Sequence, residues 1–464
     1  MMQPPVRTDL TNWSKSAHSS CLVCRPDDIA GVTKALTAAR ARGLSVIPHG
    51  AGHSYTDAAM NTDGVVIDLR SMCRILSWDA ALGIMRVEPG VTLQEMMQVS
   101  WKDGWWPAVS PSTPHVTVGG CAAMNVNGKN AWKCGPFGDH IRALDVLLAT
   151  GERYTLLPER DAQLFHAFVG SLGLLGIITS MTIQLQRIGS GQAVVRRRPA
   201  ASLAEIFTIF AEEQQTSDFL EAWLDGFAGG QRLGRGYVTC ATVDTADEVP
   251  HSLSTPGILD QLETALVVPV STIGRLALLP GVRLANRINY SWSRWGRNPQ
   301  GRLRGLLPST YWPSAAFAGY HMLFTEGVET FQAFVPGQDA REVFEQVLRY
   351  SQQQGQMPLW CIIKQHRRDP FLLSYQVDGF SLELNYRGTH QTMQPLERTL
   401  RQMIAMVIEA GGRFYLAKDH FQTQAQYRQS VGDAVVDTFL RLKQQCDPET
   451  LLQSDLYRRL FQPS

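Results

Sequence analysis

The chain has 464 residues, of which 44% are hydrophobic and 18% are charged, and its formal net charge is +1. This length exceeds what one ordinary hydrophobic core supports, so we expect two domains of a globular protein. A net charge this close to zero argues against bulk attraction to nucleic acid, and we expect no nucleic-acid partner. The first residues contain no apolar signal-peptide core, and no run of about eighteen uncharged apolar residues occurs. We therefore expect a cytoplasmic protein without a membrane span.

The first part of the chain alternates predicted helices and strands. An acidic start followed by helical periodicity predicts a helix over residues 27–41. Thr92 can cap a helix that ends at Gln98 or Val99, because Glu95 stands at the spacing of a capping box. Short apolar runs predict strands over residues 44–48, 64–68, 84–88, 141–149 and 174–185.

Two glycine-rich segments, residues 45–57 and 111–130, each follow an apolar run. Glycine lets backbone N–H groups approach an anionic ligand, because no Cβ intervenes and positive φ is tolerated. The first segment is not a Rossmann fingerprint, since Tyr55 occupies the third glycine position. The second is not a P-loop, since Asn130 follows the glycine–lysine pair. Two such loops predict a diphosphate cofactor held mainly by main chain, and a flavin rather than a nicotinamide or a nucleoside triphosphate.

The metal-binding patterns are weak. Cys21 and Cys24 are the only close pair among eight cysteines, and no second pair at zinc-ribbon spacing accompanies them. We expect two half-buried thiols on a strand, with a redox or metal role as the alternative. His49 and His53 are separated by two glycines, which predicts a turn and not a zinc-binding helix face, so we expect no metal.

The composition changes near residues 189–191, and a second series of elements begins there. Helical stretches alternate with strand-like runs, which predicts a sheet covered by helices. The predicted helices are 203–214, 341–354 and 396–409, and the predicted strands are 331–335, 359–364 and 380–386.

Residues 264–325 contain no Asp or Glu but seven arginines mixed with Leu, Trp and Tyr. One interpretation is a contact with a phosphate-bearing substrate or with the surface of an anionic membrane. The other is a solvated insertion whose arginines pair with acids elsewhere in the chain.

These segments together resemble the FAD-binding domain of the vanillyl-alcohol oxidase superfamily, and the resemblance is strongest to its decaprenylphosphoryl-ribose oxidase branch. The matching pieces are 52–57, 116–120, 128–130, 137–140, 173–178, 332–336, 415–419 and 446–459. The resemblance implies an α+β, two-domain PCMH-type FAD-binding fold. It assigns residues 1–190 to an FAD-binding domain and residues 191–412 to a substrate-binding (cap) domain on an antiparallel sheet covered by helices. Residues 413–464 then return to the first domain.

The resemblance also implies FAD as the cofactor and a set of residues that hold it. These are His49, Gly50, Ala51, Gly52, His53, Ser54, Tyr55, Ser112, Thr117, Val118, Gly119, Gly120, Ala123, Met124, Asn125, Asn127, Ile177 and Tyr415.

His53 separates this chain from the branch that it otherwise resembles, which usually has arginine there and a noncovalent flavin. In lactone oxidases and berberine-bridge-like members, a histidine in this loop is bonded to the 8α-methyl group of the flavin. We therefore expect a covalent histidyl link, with a hydrogen-bonding histidine as the alternative. No second, cysteinyl link is expected, because residues 112–115 contain no thiol.

Alcohol oxidation by a flavin needs a base for the hydroxyl proton and a C–H bond directed at the flavin N5 atom, which receives the hydride. Lys418 matches the active-site lysine of the related oxidases, where an ammonium stabilises negative charge on the reduced ring or orients the hydroxyl. The alternative is a surface lysine paired with Asp419. The resemblance places Tyr415 beside the flavin.

Glu383 lies in an alternating strand and shares one face with Ser381 and Asn385. If that face lines the substrate pocket, Glu383 is a candidate general base; the alternative is a solvent-facing strand. The resemblance implies substrate contacts from Asn127, Lys129, Trp223, Tyr311, Gln332, Lys364 and Asn385.

Asn127 stands where the related oxidases have a pocket histidine, which gives Glu383 and Lys418 more weight as proton carriers. It also argues against decaprenylphosphoryl ribose itself as the substrate. We expect an FAD-dependent enzyme that oxidises a secondary alcohol of a sugar moiety, free or phospho- or lipid-linked, with oxygen or a quinone as electron acceptor. A lactone- or alditol-type or natural-product tailoring oxidase, and a flavin-binding protein without catalysis, are the alternatives.

Overall fold

The computed structural model describes residues 5–244, 280–295, 301–305, 327–388 and 393–462. These ranges contain helices together with sheets of four, five, two and eight strands, so the expected α+β class is confirmed. Tyr311 and most of the acid-free segment 264–325 lie outside the described residues.

The four-stranded sheet presents the first glycine-rich loop. Its order is β1 (Val6–Thr11), β2 (His18–Cys24), β4 (Val65–Asp68) and β3 (Val46–His49), and both β2 and β3 run parallel to β4. The helix Ile29–Ala41 connects β2 to β3 and begins after Asp28, whose side chain accepts a hydrogen bond from the Gly31 N–H at 2.7 Å. The glycine loop therefore leaves the sheet at the carboxyl end of β3.

An antiparallel five-stranded sheet supports the second glycine-rich segment. Its order is β5 (Ile75–Asp79), β6 (Ile84–Val87), β10 (Ile177–Gln184), β8 (Ile141–Leu147) and β9 (Arg153–Leu156). The helix Leu93–Ser100 begins with the predicted capping box between Thr92 and Glu95. The short helix Val118–Met124 follows, and β7 (Trp105–Trp106) pairs with β11 (Gln186–Arg187).

The eight-stranded sheet is antiparallel throughout. Its order is β15 (Arg302–Gly305), β12 (Gln192–Ala200), β14 (Gly236–Val243), β13 (Phe219–Leu224), β17 (Trp360–His366), β18 (Gly379–Arg387), β16 (Val328–Pro336) and β19 (Arg413–Phe414).

Alternation along these strands gives the eight-stranded sheet one apolar face and one polar face. On the apolar face, Leu382, Leu384 and Ile363 form one buried cluster with residues of the helices Leu203–Glu213, Gly337–Gln353 and Met393–Glu409. On the other face, Glu383 lies opposite Gln332 of β16 and Ile362 of β17. Because burying an unpaired charge is costly, the polar side chains of that face need partners.

The C-terminal helices Gln424–Val431, Asp433–Cys446 and Asp455–Leu460 pack with the N-terminal part of the chain. Tyr427, Phe439 and Leu460 belong to the same buried cluster as the five-stranded sheet. The remaining helices within the described ranges are Ala131–Cys134, Ala162–Phe168 and residues 280–295. The same ranges contain 3₁₀ turns at Leu69–Ser71, Trp101–Asp103, Phe137–His140 and Gly230–Arg232.

The predicted boundaries differ from the observed ones where a turn intervenes. The strand predicted from residue 174 begins at Ile177, because Leu172 and Gly173 adopt left-handed φ values of 62° and 76°. The helix predicted from residue 341 begins earlier, at Gly337. Cys21 and Cys24 are fully buried on β2, not half-buried, and burial raises the pKa of each thiol to about 11.

Candidate active site

A buried ion pair between Lys418 and Glu383 lies on the polar face of the eight-stranded sheet. Lys418 Nζ is 2.5 Å from Glu383 Oε2, and the two side chains are only 16% and 10% exposed. Asn385, two residues along β18, donates from Nδ2 to Glu383 Oε1 at 3.2 Å. Lys418 is therefore a buried partner of Glu383, whereas the Asp419 carboxylate accepts a hydrogen bond from the Gln422 N–H.

The surroundings decide the charge state of this pair. Burial acts to raise the pKa of Glu383, but the ammonium groups of Lys418 and Lys364 outweigh it and hold that pKa below its ordinary value. Burial lowers the pKa of Lys418, and the Glu383 carboxylate opposes this shift. Glu383 therefore remains ionised at neutral pH, and Lys418 loses its proton more easily than an exposed lysine does.

A second buried charge cluster involves Glu221, a residue that the sequence analysis missed. Lys129 Nζ lies 3.0 Å from Glu221 Oε1, and Lys364 Nζ lies 3.9 Å from Glu221 Oε2. Burial lowers the pKa of Lys129, against the attraction of Glu221. The signal that could have found Glu221 is the alternation of β13, which puts it on the same face as Trp223. With the Lys418–Glu383 pair, three lysines face two glutamates, so these five side chains carry a net charge of +1.

The first glycine-rich loop contacts the turn that carries Lys418. The Tyr55 N–H donates to the Ala417 carbonyl at 2.8 Å, and the Thr56 hydroxyl donates to the Leu416 carbonyl at 2.8 Å. Lys418 Nζ lies 5.2 Å from the centroid of the Tyr55 ring. The loop predicted to hold the cofactor and the predicted catalytic lysine are therefore neighbours.

Tyr375, which no local pattern indicated, links the second glycine-rich segment to Tyr415. Asn127 Nδ2 donates to the Tyr375 hydroxyl at 3.0 Å, and that hydroxyl donates to the Asn125 carbonyl at 2.6 Å. The ring centroids of Tyr375 and Tyr415 are 4.2 Å apart. Burial raises the pKa of both phenols, so both stay protonated.

The two glycine-rich segments meet at Gly50 and Thr117. A Cβ on Gly50 would lie 2.2 Å from Thr117 Oγ1, so only glycine fits there. Thr117 Oγ1 is itself buried and has no hydrogen-bond partner within the described part of the chain. Gly52 adopts a φ of +71°, which an L side chain rarely does. A partly exposed, glycine-rich main chain beside an unsatisfied buried hydroxyl fits a large polar cofactor such as FAD.

His53 follows Gly52 and stacks on Trp13, another residue that the sequence analysis missed. The ring centroids are 4.1 Å apart at an interplanar angle of 30°. The main-chain N–H of Trp13 donates to the Ser54 carbonyl at 3.0 Å. The N-terminal segment therefore orients the His53 ring within the loop.

The other predicted cofactor contacts differ in their surroundings. His49 has Nδ1 3.0 Å from the Ala59 carbonyl oxygen and Nε2 3.1 Å from where a Cβ on Gly52 would lie, and burial lowers its pKa. The Val118 and Gly119 N–H groups donate to Val91 and Pro89 carbonyls, so any contact from these two residues to a cofactor uses other atoms. Further along the chain, Ser112 is exposed, Ala51, Gly120, Ala123 and Met124 are partly buried, and Ile177 lies in the core on β10.

Two predicted substrate contacts, Gln332 and Trp223, lie in the same row of the sheet as Glu383. Gln332 is buried, and its Oε1 atom has no hydrogen-bond partner within the described ranges. Trp223 lies opposite Ile362 and stacks on Tyr237, with ring centroids 5.4 Å apart. The position of Tyr311 is not among the described residues.

Among the residues that the structure describes, no three His, Cys, Asp or Glu side chains are grouped so that they could hold a metal ion. In the same residues, no helix combines the length and the apolar character needed to cross a membrane.

Comparisons with known proteins agree with this geometry. Residues 21–156 match the family model described as an FAD binding domain. The chain is 28% identical to decaprenylphosphoryl-beta-D-ribose oxidase of Mycolicibacterium smegmatis, over 98% of each chain. It is 24% identical to L-gulono-1,4-lactone dehydrogenase of Mycobacterium tuberculosis, over 98% of this chain and 99% of that protein. It is also 28% identical to cytokinin dehydrogenase 3 of Oryza sativa subsp. japonica, over 45% of this chain and 41% of that protein. The chain therefore contains an FAD binding domain, is an FAD-dependent oxidoreductase, and is similar along almost its whole length to an FAD-linked oxidase.

Proposed function

We propose that the chain oxidises a secondary alcohol of a sugar moiety to a ketone at the Lys418–Glu383 pair. The observation that carries the proposal is the burial of this pair beside Tyr55 of the first glycine-rich loop. When bound, FAD supplies the acceptor for the hydride that leaves the alcohol carbon. The loop residues Gly50 to Tyr55 and the Thr117 hydroxyl would hold it.

Glu383 and Lys418 have different roles in this proposal. The Glu383 carboxylate is already ionised, so it can accept the hydroxyl proton as the C–H bond breaks. The Lys418 ammonium, within hydrogen-bond distance of the same carboxylate, stabilises negative charge that develops on the alcohol oxygen. Asn385 keeps the carboxylate oriented through its bond to Oε1.

The rest of the polar face favours a polyhydroxy substrate. Gln332 presents a buried amide oxygen with no partner among the described residues, and a substrate hydroxyl would satisfy it. Lys129, Lys364 and Glu221 add buried donors and an acceptor, which suit several neighbouring hydroxyl groups.

We further propose that residues 1–190 with 413–464 hold FAD in a PCMH-type domain and that residues 191–412 form the substrate-binding cap. The support is that side chains on the polar face of the eight-stranded sheet contact residues of the proposed FAD-binding domain, Glu383 through Lys418 and Glu221 through Lys129. The relative from M. smegmatis is named for a decaprenylphosphoryl ribose. A phospho- or lipid-linked sugar or nucleoside therefore stays within the proposed substrate class.

Anaerobic mixing of FAD-loaded protein with a panel of sugars, sugar phosphates and nucleosides tests the proposal. We expect at least one to bleach the flavin absorption and to yield one ketone per flavin reduced. If no member of the panel bleaches bound flavin, sugar oxidation is wrong and the protein is a flavin-binding protein without this activity. Re-oxidation of the bleached flavin by oxygen or by a soluble quinone identifies the electron acceptor.

A lactone- or alditol-type oxidase with covalent FAD is the second candidate, and His53 favours it. The histidine follows Gly52 in a loop held by Trp13, and one relative is named a lactone dehydrogenase.

Acid precipitation distinguishes a covalent from a noncovalent flavin. A yellow pellet that becomes colourless in His53→Ala supports the covalent link, and flavin in the wild-type supernatant rules it out. Fast bleaching by a free polyol or lactone would select this second activity.

A further inference from the structure

The helix formed by residues 280–295 turns uncharged polar side chains toward the protein. Asn286 is only 8% exposed and donates from Nδ2 to Asp225 Oδ1 at 3.3 Å and to the Leu359 carbonyl at 3.2 Å. Ser293 is only 4% exposed, and Asn289 donates to the Tyr237 hydroxyl at 3.4 Å. These hydrogen bonds attach the helix to one end of the neighbouring strands β13, β14 and β17 within the eight-stranded sheet.

The opposite side of this helix is apolar and exposed. Leu284, Ile288, Trp292 and Trp295 are 54%, 46%, 48% and 88% exposed. Spacings of four, four and three residues place them in one stripe along the helix. They are four of the eight large hydrophobic side chains that are exposed within the described residues, and the other four lie on distant strands and turns. An amphipathic helix normally buries such a stripe, so this one is oriented for a partner outside the molecule.

The charge on the helix indicates what that partner is. Arg283, Arg287 and Arg294 are exposed beside the apolar stripe. Neither the helix nor the acid-free stretch around it, residues 264–325, contains a carboxylate side chain. Tryptophan together with arginine is typical of helices that lie in the interface of an anionic membrane. We propose that the 280–295 helix is a docking surface for an anionic lipid bilayer, with its apolar stripe in the acyl boundary and its arginines at the headgroups.

The helix is also close to the candidate active site. Tyr237, which accepts the bond from Asn289, stacks on Trp223, and Trp223 lies in the same row of the sheet as Ile362 and Glu383. Neighbouring strands are about 4.8 Å apart, so the three intervals from Tyr237 to Glu383 span about 14 Å. A sugar carried on a lipid at the docked surface would therefore be within reach of the site. Only this step rests on the proposed function.

Vesicle flotation of the FAD-loaded protein tests the docking surface. Wild type is compared on vesicles of phosphatidylglycerol with phosphatidylcholine and on phosphatidylcholine alone. The variants are Trp292→Ser/Trp295→Ser and Arg283→Gln/Arg287→Gln, and the control is Leu82→Ser, which removes an apolar side chain that is 61% exposed on a distant turn.

We expect wild type and the Leu82 variant to float with anionic vesicles and not with neutral ones. The tryptophan variant should lose at least tenfold in partitioning, and the arginine variant about fivefold for each charge removed. Equal flotation of wild type and the tryptophan variant, or flotation that ignores lipid charge, would overturn the inference. A wild-type dimer in gel filtration that the tryptophan variant loses would assign the surface to a second copy of the chain instead.

Flavin bleaching by a water-soluble substrate separates the two proposals. The tryptophan variant should bleach at the wild-type rate, because neither side chain belongs to the candidate site. Absent bleaching in both proteins refutes the proposed function and leaves the flotation result unaffected.

Discussion

Glu221→Gln removes a buried carboxylate from the charge cluster on the polar face of the eight-stranded sheet. Glu221 is an anionic partner of both Lys129 and Lys364, at 3.0 and 3.9 Å. The side chains of the three residues are 8–11% exposed. The amide keeps the shape of the glutamate but removes the negative charge that Lys129 and Lys364 share.

Removing one partner of a buried ion pair costs about 3–5 kcal/mol, because the remaining charge stays desolvated. If the substrate-binding region unfolds as one unit of about 200 residues, this loss lowers its melting temperature by roughly 10 °C. Burial already lowers the pKa of Lys129 and Glu221 opposes that shift, so the variant lowers the Lys129 pKa further. A lysine whose folded pKa lies below its unfolded pKa gains stability as pH rises. The variant should therefore recover part of its loss at alkaline pH.

Thermal unfolding followed by circular dichroism at neutral and alkaline pH measures both effects. Glu449→Gln is the matched control, because Glu449 is 60% exposed and pairs with Arg40 on the surface. Such a pair contributes about 0–1 kcal/mol, so the control should melt close to wild type. A Glu221 variant that melts within about 2 °C of wild type at neutral pH would refute the reasoning, since it would mean that the two lysines do not depend on this carboxylate.

Three further changes give separate tests. Glu383→Gln should slow flavin bleaching, measured by anaerobic stopped flow, by about 10²–10⁴-fold while FAD content stays at the wild-type level. In wild type the bleaching rate should fall at acid pH as Glu383 is protonated and at alkaline pH as Lys418 is deprotonated. Each fall should occur at a pH below the ordinary pKa of the group that titrates. Burial raises the pKa of Glu329 in the folded protein to about 8. The protonated side chain therefore contributes stability below the pKa of the unfolded chain, and this contribution is lost as the pH rises through the pKa of the folded protein. Glu329→Gln should therefore melt above wild type at about pH 9 and equally at about pH 5, and a variant less stable at both pH values would contradict this. Gly50→Ala should purify with less FAD because its Cβ would meet the Thr117 hydroxyl, and an FAD content equal to that of wild type would show that the loop tolerates the added methyl group.

Local sequence patterns predicted the parts of the site that lie within one element. The alternation of β18 put Glu383 and Asn385 on one face, and the structure joins them by a hydrogen bond. The Thr92–Glu95 capping box formed because both of its hydrogen bonds lie within one helical turn. Where a turn with left-handed residues preceded the strand, as at Leu172 and Gly173, apolar residues alone placed the start of β10 too early.

Contacts between distant segments could not be predicted from local pattern. Tyr375 meets Asn127 across 248 positions of the chain, and Lys129 meets Glu221 only because β13 packs beside the second glycine-rich segment. Trp13 lies beside His53 through a hydrogen bond to Ser54 that nothing near residue 13 indicates. These side chains acquire a role only when the sheet and the glycine-rich segments come together.

Single-turnover flavin bleaching by a sugar substrate, compared in wild type and in Lys418→Met, tests directly whether the Lys418–Glu383 pair carries out the oxidation. Both proteins should contain FAD, and only wild type should bleach rapidly, because in the proposed mechanism Lys418 stabilises charge on the reacting oxygen. Equal bleaching rates in the two proteins would contradict it and would place the chemistry away from the Lys418–Glu383 pair.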